Sequence, residues 1–452
     1  MTSHAPPLYS LSRYAVLSDD VFRNDVAEDV ILIYLASTAT LGAVSATAGR
    51  ALRSGACGDL GEDELAALVG DGVLVAEGTD ELSAILEGQR NATADSRRRR
   101  FALLPTSYCN MGCSYCGQVH TRDMLRGNHR DVTCARVLAA IRDEAVTEVQ
   151  VNWFGGEPLT AYGVMCSMGN QFWREATALR KCYSSKVVTN GSLLTLERLV
   201  GLVDTAHVDS LEITLDGPES IHDVHRPLKR GGGSFRRVVA VLSQAVTDSR
   251  LAGIQFVIRT NVDRTNAPFI DKFIDEMREA KLNTPQVGFY LAPVHSWGND
   301  VSSLALSTEE FADSEYLWLA HFIAAGLNVD VLPSAITEVV CSAVSRQAEL
   351  ITSTGRVFAC SEYPLVPGME RHSQAAVTDL DSDELRPIGE FDGWDQELKN
   401  GSVPCQSCDL LPVCGGACPK AWHEGNRPCP SMKLNFQRRL NLAASINGLK
   451  RT

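Results

Sequence analysis

The chain has 452 residues, of which 44% are hydrophobic and 21% charged, and its mean hydropathy lies near zero. That balance excludes a mostly disordered chain and a membrane protein. A net charge of −13 argues against general binding to nucleic acid or to an anionic membrane surface.

In chain order, residues 1 to about 95 open with strand-like segments, Tyr14 to Leu17, Val30 to Leu35 and Leu41 to Val44, and continue with helical patterns at Glu62 to Leu68 and Glu81 to Leu86. The opening MTSHAPPLYS has neither the basic nor the apolar region of a secretory signal, which makes the cytoplasm the expected address. The longest apolar run, Val30 to Ala36, is far shorter than the roughly 18 residues that span a bilayer. The stretch NATADSRRRR, residues 91–100, is polar and reads as a solvated linker, so a boundary is expected near residue 98. From Phe101 to Trp297 short apolar segments (FALLP, VQVNWF, KVVTN, LEITLDG, IQFVIRT, QVGFYLAP) alternate with helical patterns. Repeated strand-then-helix units predict a parallel sheet with helices outside, here an open partial barrel whose active site gathers at the C-terminal strand ends. From Cys341 the chain is rich in Cys, Gly and Pro, which suits a small domain organised around metal. The expected division is 1–97, 98–310 and 311–452.

Fourteen cysteines in a chain without an export signal point to metal rather than to a disulfide framework. Cys57, Cys134, Cys166 and Cys182 stand alone and read as small buried hydrophobes. The other ten form two groups. In the first, TSYCNMGCSYCGQ places Cys109, Cys113 and Cys116 directly after a strand segment. Three thiolates on one loop can hold three irons of a four-iron cluster and leave the fourth open, whereas structural zinc wants four protein ligands. His120 is the only nearby group that would complete a zinc site.

This triplet, with Tyr115 before its last Cys, resembles the signature of the radical S-adenosylmethionine (radical SAM) superfamily. Gly155, Gly156, Glu157 and Pro158 follow in order and are similar to the family's GGEP motif, whose strand end and carboxylate hold the cofactor's methionine amino group. Further matches are Thr189 and Asn190 after the third strand segment, Asp216 after the fourth and Asn261 at the fifth. Thr214 stands where many relatives have Ser beside the ribose, and His222, Asp223 and Arg226 resemble the family's loop after Asp-Gly. The resemblance implies a partial (β/α)6 barrel that binds S-adenosylmethionine and generates a 5'-deoxyadenosyl radical. Taken singly, these polar residues read equally well as caps or turns.

The second group holds seven thiols, Cys341, Cys360, Cys405, Cys408, Cys414, Cys418 and Cys429. Seven do not divide into two complete four-Cys zinc sites. Their order resembles the SPASM domain of peptide- and protein-modifying radical enzymes. That resemblance implies two auxiliary [4Fe-4S] clusters, three in all, one on Cys405, Cys408, Cys414 and Cys429 and the other on Cys341, Cys360 and Cys418.

Residues 1–97 look like the winged-helix domain that captures a leader peptide as an added strand in maturases of ribosomally made peptides; a plain capping domain is the other reading. The implied activity is hydrogen abstraction from a precursor peptide followed by oxidative thioether or carbon–carbon cross-linking, with a flavodoxin- or ferredoxin-like reductant. Sulfatase-maturing relatives often carry Asp directly after the Cys matching Cys360; this chain has Ser361 and then Glu362, which is the candidate catalytic acid–base group. Formylglycine formation and epimerisation stay open, as does a metal-bearing peptide-binding protein without catalysis.

Overall fold

The computed structural model describes residues 8–452, so the reading of the first seven lies outside it. The chain divides into two compact units, one drawn from Met1–Thr93, Asp330–Val340 and Gly393–Thr452, the other from Ala94–Val329 and Cys341–Asp392. No helix among the described residues is long and apolar enough to cross a membrane.

The first unit opens with β1 (Tyr9–Leu11), β2 (Ala15–Leu17), β3 (Phe22–Arg23), β4 (Asp29–Leu35), β5 (Thr40–Ser45), α1 (Ala46–Ser54), α2 (Glu62–Gly70), β6 (Leu74–Ala76) and α3 (Glu81–Ala94). Strand β4 is apolar on both faces because both are covered. Ile33 and Leu35 pack on Leu52, Cys57, Leu68 and Leu74, while Val30 and Leu32 pack on Phe22 and Ala444. Antiparallel partners β2 and β3 lie on one side of β4 and β5 on the other. Among the described residues β5 pairs with β4 alone and its outer edge carries no strand, and its residues are exposed or half-buried.

The second unit is built on β7 (Arg98–Leu103), β8 (Glu148–Trp153), β9 (Cys182–Thr189), β10 (Ser210–Thr214), β11 (Gln255–Val262) and β12 (Val287–Pro293), six parallel strands in sequential order. Their connections carry α4 (Gly127–Arg142), α5 (Tyr162–Ala178), α6 (Leu196–Asp204), α7 (Glu219–His225), α8 (Phe235–Ala245) and α9 (Ile270–Glu279). After α10 (Thr308–Ala324), β13 (Asn328–Val329) extends the sheet beyond β12. On the other edge β14 (Ala348–Ile351) joins β7 in parallel, followed by antiparallel β15 (Arg356–Phe358) and β16 (Ala375–Ala376). The ten strands do not close, which is the topology of an open β/α barrel.

Alternation along the strands sorts their residues between two faces. Phe101, Leu103, Val149, Val151, Trp153, Val187, Leu211, Ile213, Phe256 and Ile258 join Val137, Ile141 and Phe172 of the helices in one core. Intervening residues such as Val188, Glu212, Thr214, Arg259 and Asn261 line a cavity instead.

The arginine run corrects the linker reading. Arg98–Arg100 begin β7, and Arg99 is buried with its guanidinium 2.9 Å from Glu349 of β14 and stacked over Phe101. Arg136 reaches the other oxygen of Glu349 at 2.6 Å.

The rest of the first unit is α11 (Trp394–Asn400), α12 (Leu411–Cys414), α13 (Pro419–His423), α14 (Met432–Ile446) and β17 (Lys450–Arg451), the last paired antiparallel with β3. Phe436 of α14 packs edge-on to Tyr34, 5.2 Å between ring centroids.

Candidate active site

At the C-terminal ends of the parallel strands lies a cavity of about 530 Å³. Its wall holds Cys109, Cys113, Tyr115, Cys116, Gly155, Gly156, Thr189, Asn190, Thr214, Arg226, Asn261 and Glu362, twelve of the residues singled out in the sequence.

The cysteine loop is held by backbone bonds to the segment after α7. Gly112 N donates to Pro227 O at 2.9 Å, Ser114 N to His225 O at 3.3 Å, and Lys229 N to Asn110 O at 2.9 Å. On its other side Glu157 N donates to Tyr108 O at 2.8 Å, which brings the GGEP turn against the loop. The close approach explains the glycines. A Cβ on Gly156 would stand 2.5 Å from Tyr108 O, and Gly155 has φ +123°, a conformation open to glycine.

Glu157 and Asp216 differ from expectation, since neither lines the cavity. The Glu157 carboxylate is fully buried and accepts bonds from Leu159 N at 2.9 Å, Thr189 Oγ1 at 2.7 Å and Asn190 N at 2.7 Å. Its oxygens join the ends of β8 and β9, and Gly155, Gly156, Thr189 and Asn190 stand at the cavity wall. Burial pulls this carboxyl upward, against the three donors.

Asp216 is equally buried beneath the loop. It accepts from Tyr115 OH at 2.7 Å and Asn261 N at 2.9 Å, and His225 Nδ1 lies at 3.2 Å. The other ring nitrogen of His225 stands 2.8 Å from Asp263. Burial would lower His225, but its two carboxylate partners outweigh that and raise it to about 9. Burial would likewise raise Asp216; Arg226, His225 and His222 hold its carboxyl far below the usual range. His222 serves structure: its Nδ1 accepts from Asp216 N, its Nε2 meets Ser234, and burial takes it down to about 4. Asp223 accepts from Ser234 N and Phe235 N at the start of α8.

Several residues of the cavity carry no signal in the sequence. His295 and Trp297 follow β12; His295 Nε2 lies 3.2 Å from the Glu362 carboxylate, and Trp297 Nε1 donates to Glu362 O at 2.7 Å. Glu212 takes bonds from Lys186 at 2.7 Å and Tyr290 at 2.9 Å, beside Arg259. Only the fold joins these positions.

Of the second cysteine group, Cys405, Cys408, Cys414 and Cys429 line one small cavity in the first unit, with Trp422 and Lys433. Burial and then the neighbouring thiols Cys414, Cys408 and Cys429 push Cys405 up to about 12, the mark of acids facing one another. In the second unit Ser342 and Ala359, the chain neighbours of Cys341 and Cys360, are joined by a bond from the Ser342 hydroxyl to Ala359 O at 3.3 Å. Cys418 belongs to the first unit. Among the solitary cysteines, Cys57 and Cys134 are buried as expected, Cys166 is half-buried, and Cys182 is exposed at the start of β9.

The donor set fits an iron–sulfur cluster with an organic ligand. Among the described residues no three His, Cys, Asp or Glu side chains close around a single metal ion, as zinc would require. A four-iron cluster takes one thiolate per iron and so spreads them wider. Arg226, only 7% exposed, brings a guanidinium charge to this wall, which suits an anionic guest. The glycine turn leaves backbone open to a ligand.

Residues 103–247 match the Radical SAM superfamily. This chain carries a radical SAM domain. It is an enzyme of that class, whose cofactors are S-adenosylmethionine and [4Fe-4S] clusters. It is 23% identical over 352 residues to a serine-type anaerobic sulfatase-maturating enzyme of Bacteroides thetaiotaomicron, covering 69% of this chain and 80% of that one. A Klebsiella pneumoniae protein of the same name is 24% identical, covering 76% and 88%. Among solved structures, anSMEcpe with bound AdoMet superposes with TM-score 0.58 at 17% identity, over 77% of this chain and 99% of that one. Streptococcus suis SuiB bound to S-adenosylmethionine gives 0.50 at 14%, over 91% and 97%. Both show the shared fold.

Proposed function

We propose that this radical SAM enzyme modifies a ribosomally synthesised precursor peptide in the cytoplasm, by hydrogen abstraction followed by an oxidative thioether or carbon–carbon cross-link. The observation that carries this reading is the free edge of β5 in the first unit. Among the described residues no strand pairs with this edge along Thr40–Ser45, and such an edge is the surface on which an extended leader peptide adds as a strand. In support, the fold shared with SuiB extends over 91% of the chain, against 77% for anSMEcpe.

In this reading Cys109, Cys113 and Cys116 would hold the cofactor-binding cluster, with Thr189, Asn190, Thr214 and Asn261 around S-adenosylmethionine. Cys405, Cys408, Cys414 and Cys429 would hold one auxiliary cluster, and Cys341 and Cys360 would be ligands of a second. When bound, the cofactor supplies the 5'-deoxyadenosyl radical that takes a hydrogen atom. The protein's residues hold the loop and orient the guest: Glu157 ties β8 to β9, and Asp216 and Tyr115 brace the loop from below. Electrons would enter from a flavodoxin- or ferredoxin-like donor.

Sulfatase-maturase-like oxidation of Ser or Cys is the second reading, favoured by one observation. Glu362 lines the cavity beside His295, so a carboxylate is in place to take a substrate proton although Ser361 follows Cys360. The two readings separate by mass spectrometry. Anaerobic incubation with short peptides encoded beside the gene gives, on the first reading, loss of two hydrogens and a fragment-resistant link between residues. A sulfatase-derived Ser or Cys peptide converted to the aldehyde, with no linked product from the neighbouring peptides, would replace it with the second.

A further inference from the structure

Arg226 is a cation buried beside the cysteine loop, and its partners do not use all of it. One Nη bonds the Tyr115 hydroxyl and lies 3.5 Å from Asp216. Asp216 is shared with Tyr115, His225 and the Asn261 amide, so it neutralises the guanidinium only in part. The Nε is buried and has no partner. The same side chain lines the cavity with Cys109, Cys113 and Cys116, while Tyr115, which holds it, sits between the last two of these cysteines in the loop.

A buried hydrogen-bond donor with a positive charge favours whichever state of its neighbour is more negative. A cluster held by three thiolates gains one negative charge on reduction, and hydrogen bonds to its sulfurs raise its potential. We propose that Arg226 is a positioning residue that sets the reduction potential of the cofactor-binding cluster through the positive charge of a guanidinium clamped by Tyr115 and Asp216 at the wall it shares with Cys109, Cys113 and Cys116. This rests on the reading of Cys109, Cys113 and Cys116 as the ligands. The device is local: it makes that cluster easier to reduce before S-adenosylmethionine binds. Lysine keeps the charge but lacks the fork that Tyr115 and Asp216 hold in one orientation.

The test is a redox titration of the full chain, reconstituted anaerobically with iron and sulfide and without S-adenosylmethionine, followed by electron paramagnetic resonance. The relevant signal is the one missing from Cys113→Ala. Arg226→Gln is expected to keep its iron and to lower the reduced-to-oxidised ratio of that signal at least tenfold at a given potential, a midpoint shift of about 59 mV for one electron. Arg226→Lys should shift in the same direction by less. An unchanged midpoint in a loaded Arg226→Gln chain would overturn the proposal. Should that variant load no cluster, Arg226→Lys decides by the same criterion. A wild-type chain with iron but no Cys113-dependent signal would instead overturn the ligand reading, and the proposal with it.

Discussion

Replacing Glu157 by alanine tests whether this carboxylate organises the site from behind rather than contacting the guest. Three donors, Leu159 N, Thr189 Oγ1 and Asn190 N, converge on it, and the carboxylate itself is fully buried. An unsatisfied buried donor costs about 1–3 kcal/mol, and entering water recovers part of it, so Glu157→Ala should lose roughly 3–6 kcal/mol of stability. Glu157→Gln keeps an acceptor but turns an NH2 toward one of the donors and loses charge assistance, for about 2–3 kcal/mol. Urea unfolding of the metal-free chain measures the loss. Hydrogen exchange over residues 157–161 and 187–192 localises it, because the amides of Leu159 and Asn190 should exchange faster while those of β11 do not change. A loss below about 1 kcal/mol for the alanine variant, or exchange unaltered at both segments, would refute the reasoning.

Glu349 offers a sharper structural cost: it stands between the buried guanidiniums of Arg99 and Arg136, and Glu349→Ala should destabilise by about 3–5 kcal/mol in thermal unfolding. His225, raised to about 9, contributes stability that is complete below about pH 6.5 and lost as pH climbs through 9, worth about 3 kcal/mol. The gap in melting temperature between the metal-free wild type and His225→Gln should therefore shrink between pH 6.5 and 9.5; a constant gap would disprove the assignment. In Gly156→Ala the added Cβ would meet the backbone of Tyr108 and Cys109, at 2.5 Å from Tyr108 O, 2.6 Å from Tyr108 C and 3.0 Å from Cys109 N, so the cysteine loop must shift and should bind S-adenosylmethionine at least tenfold more weakly in equilibrium dialysis of the reconstituted chain.

The parts of this molecule legible in the sequence are those whose chemistry is local. Cys109, Cys113 and Cys116 share one loop, and the six parallel strands announce themselves as apolar runs at regular intervals. The reading stopped where a side chain's meaning depends on a distant partner. Arg99 looked solvated because Glu349 lies 250 residues away in β14. The bonds that hold Glu157 are not legible because their donors, Thr189 and Asn190, arrive only when β9 pairs beside β8. His295 and Glu362, 67 residues apart, meet through a cavity wall that no periodicity encodes. Asp216 was found by its motif, but the depth that makes it a brace for Tyr115 and Arg226 is a property of the packed loop.

The most direct test of the central claim is anaerobic incubation of the reconstituted chain with S-adenosylmethionine and a strong reductant, assayed for 5'-deoxyadenosine with and without candidate peptide, and with Cys113→Ala in parallel. The account predicts 5'-deoxyadenosine from the wild type and none from the variant. A cluster-loaded wild type that forms none under either condition, or a variant that forms as much, would contradict it.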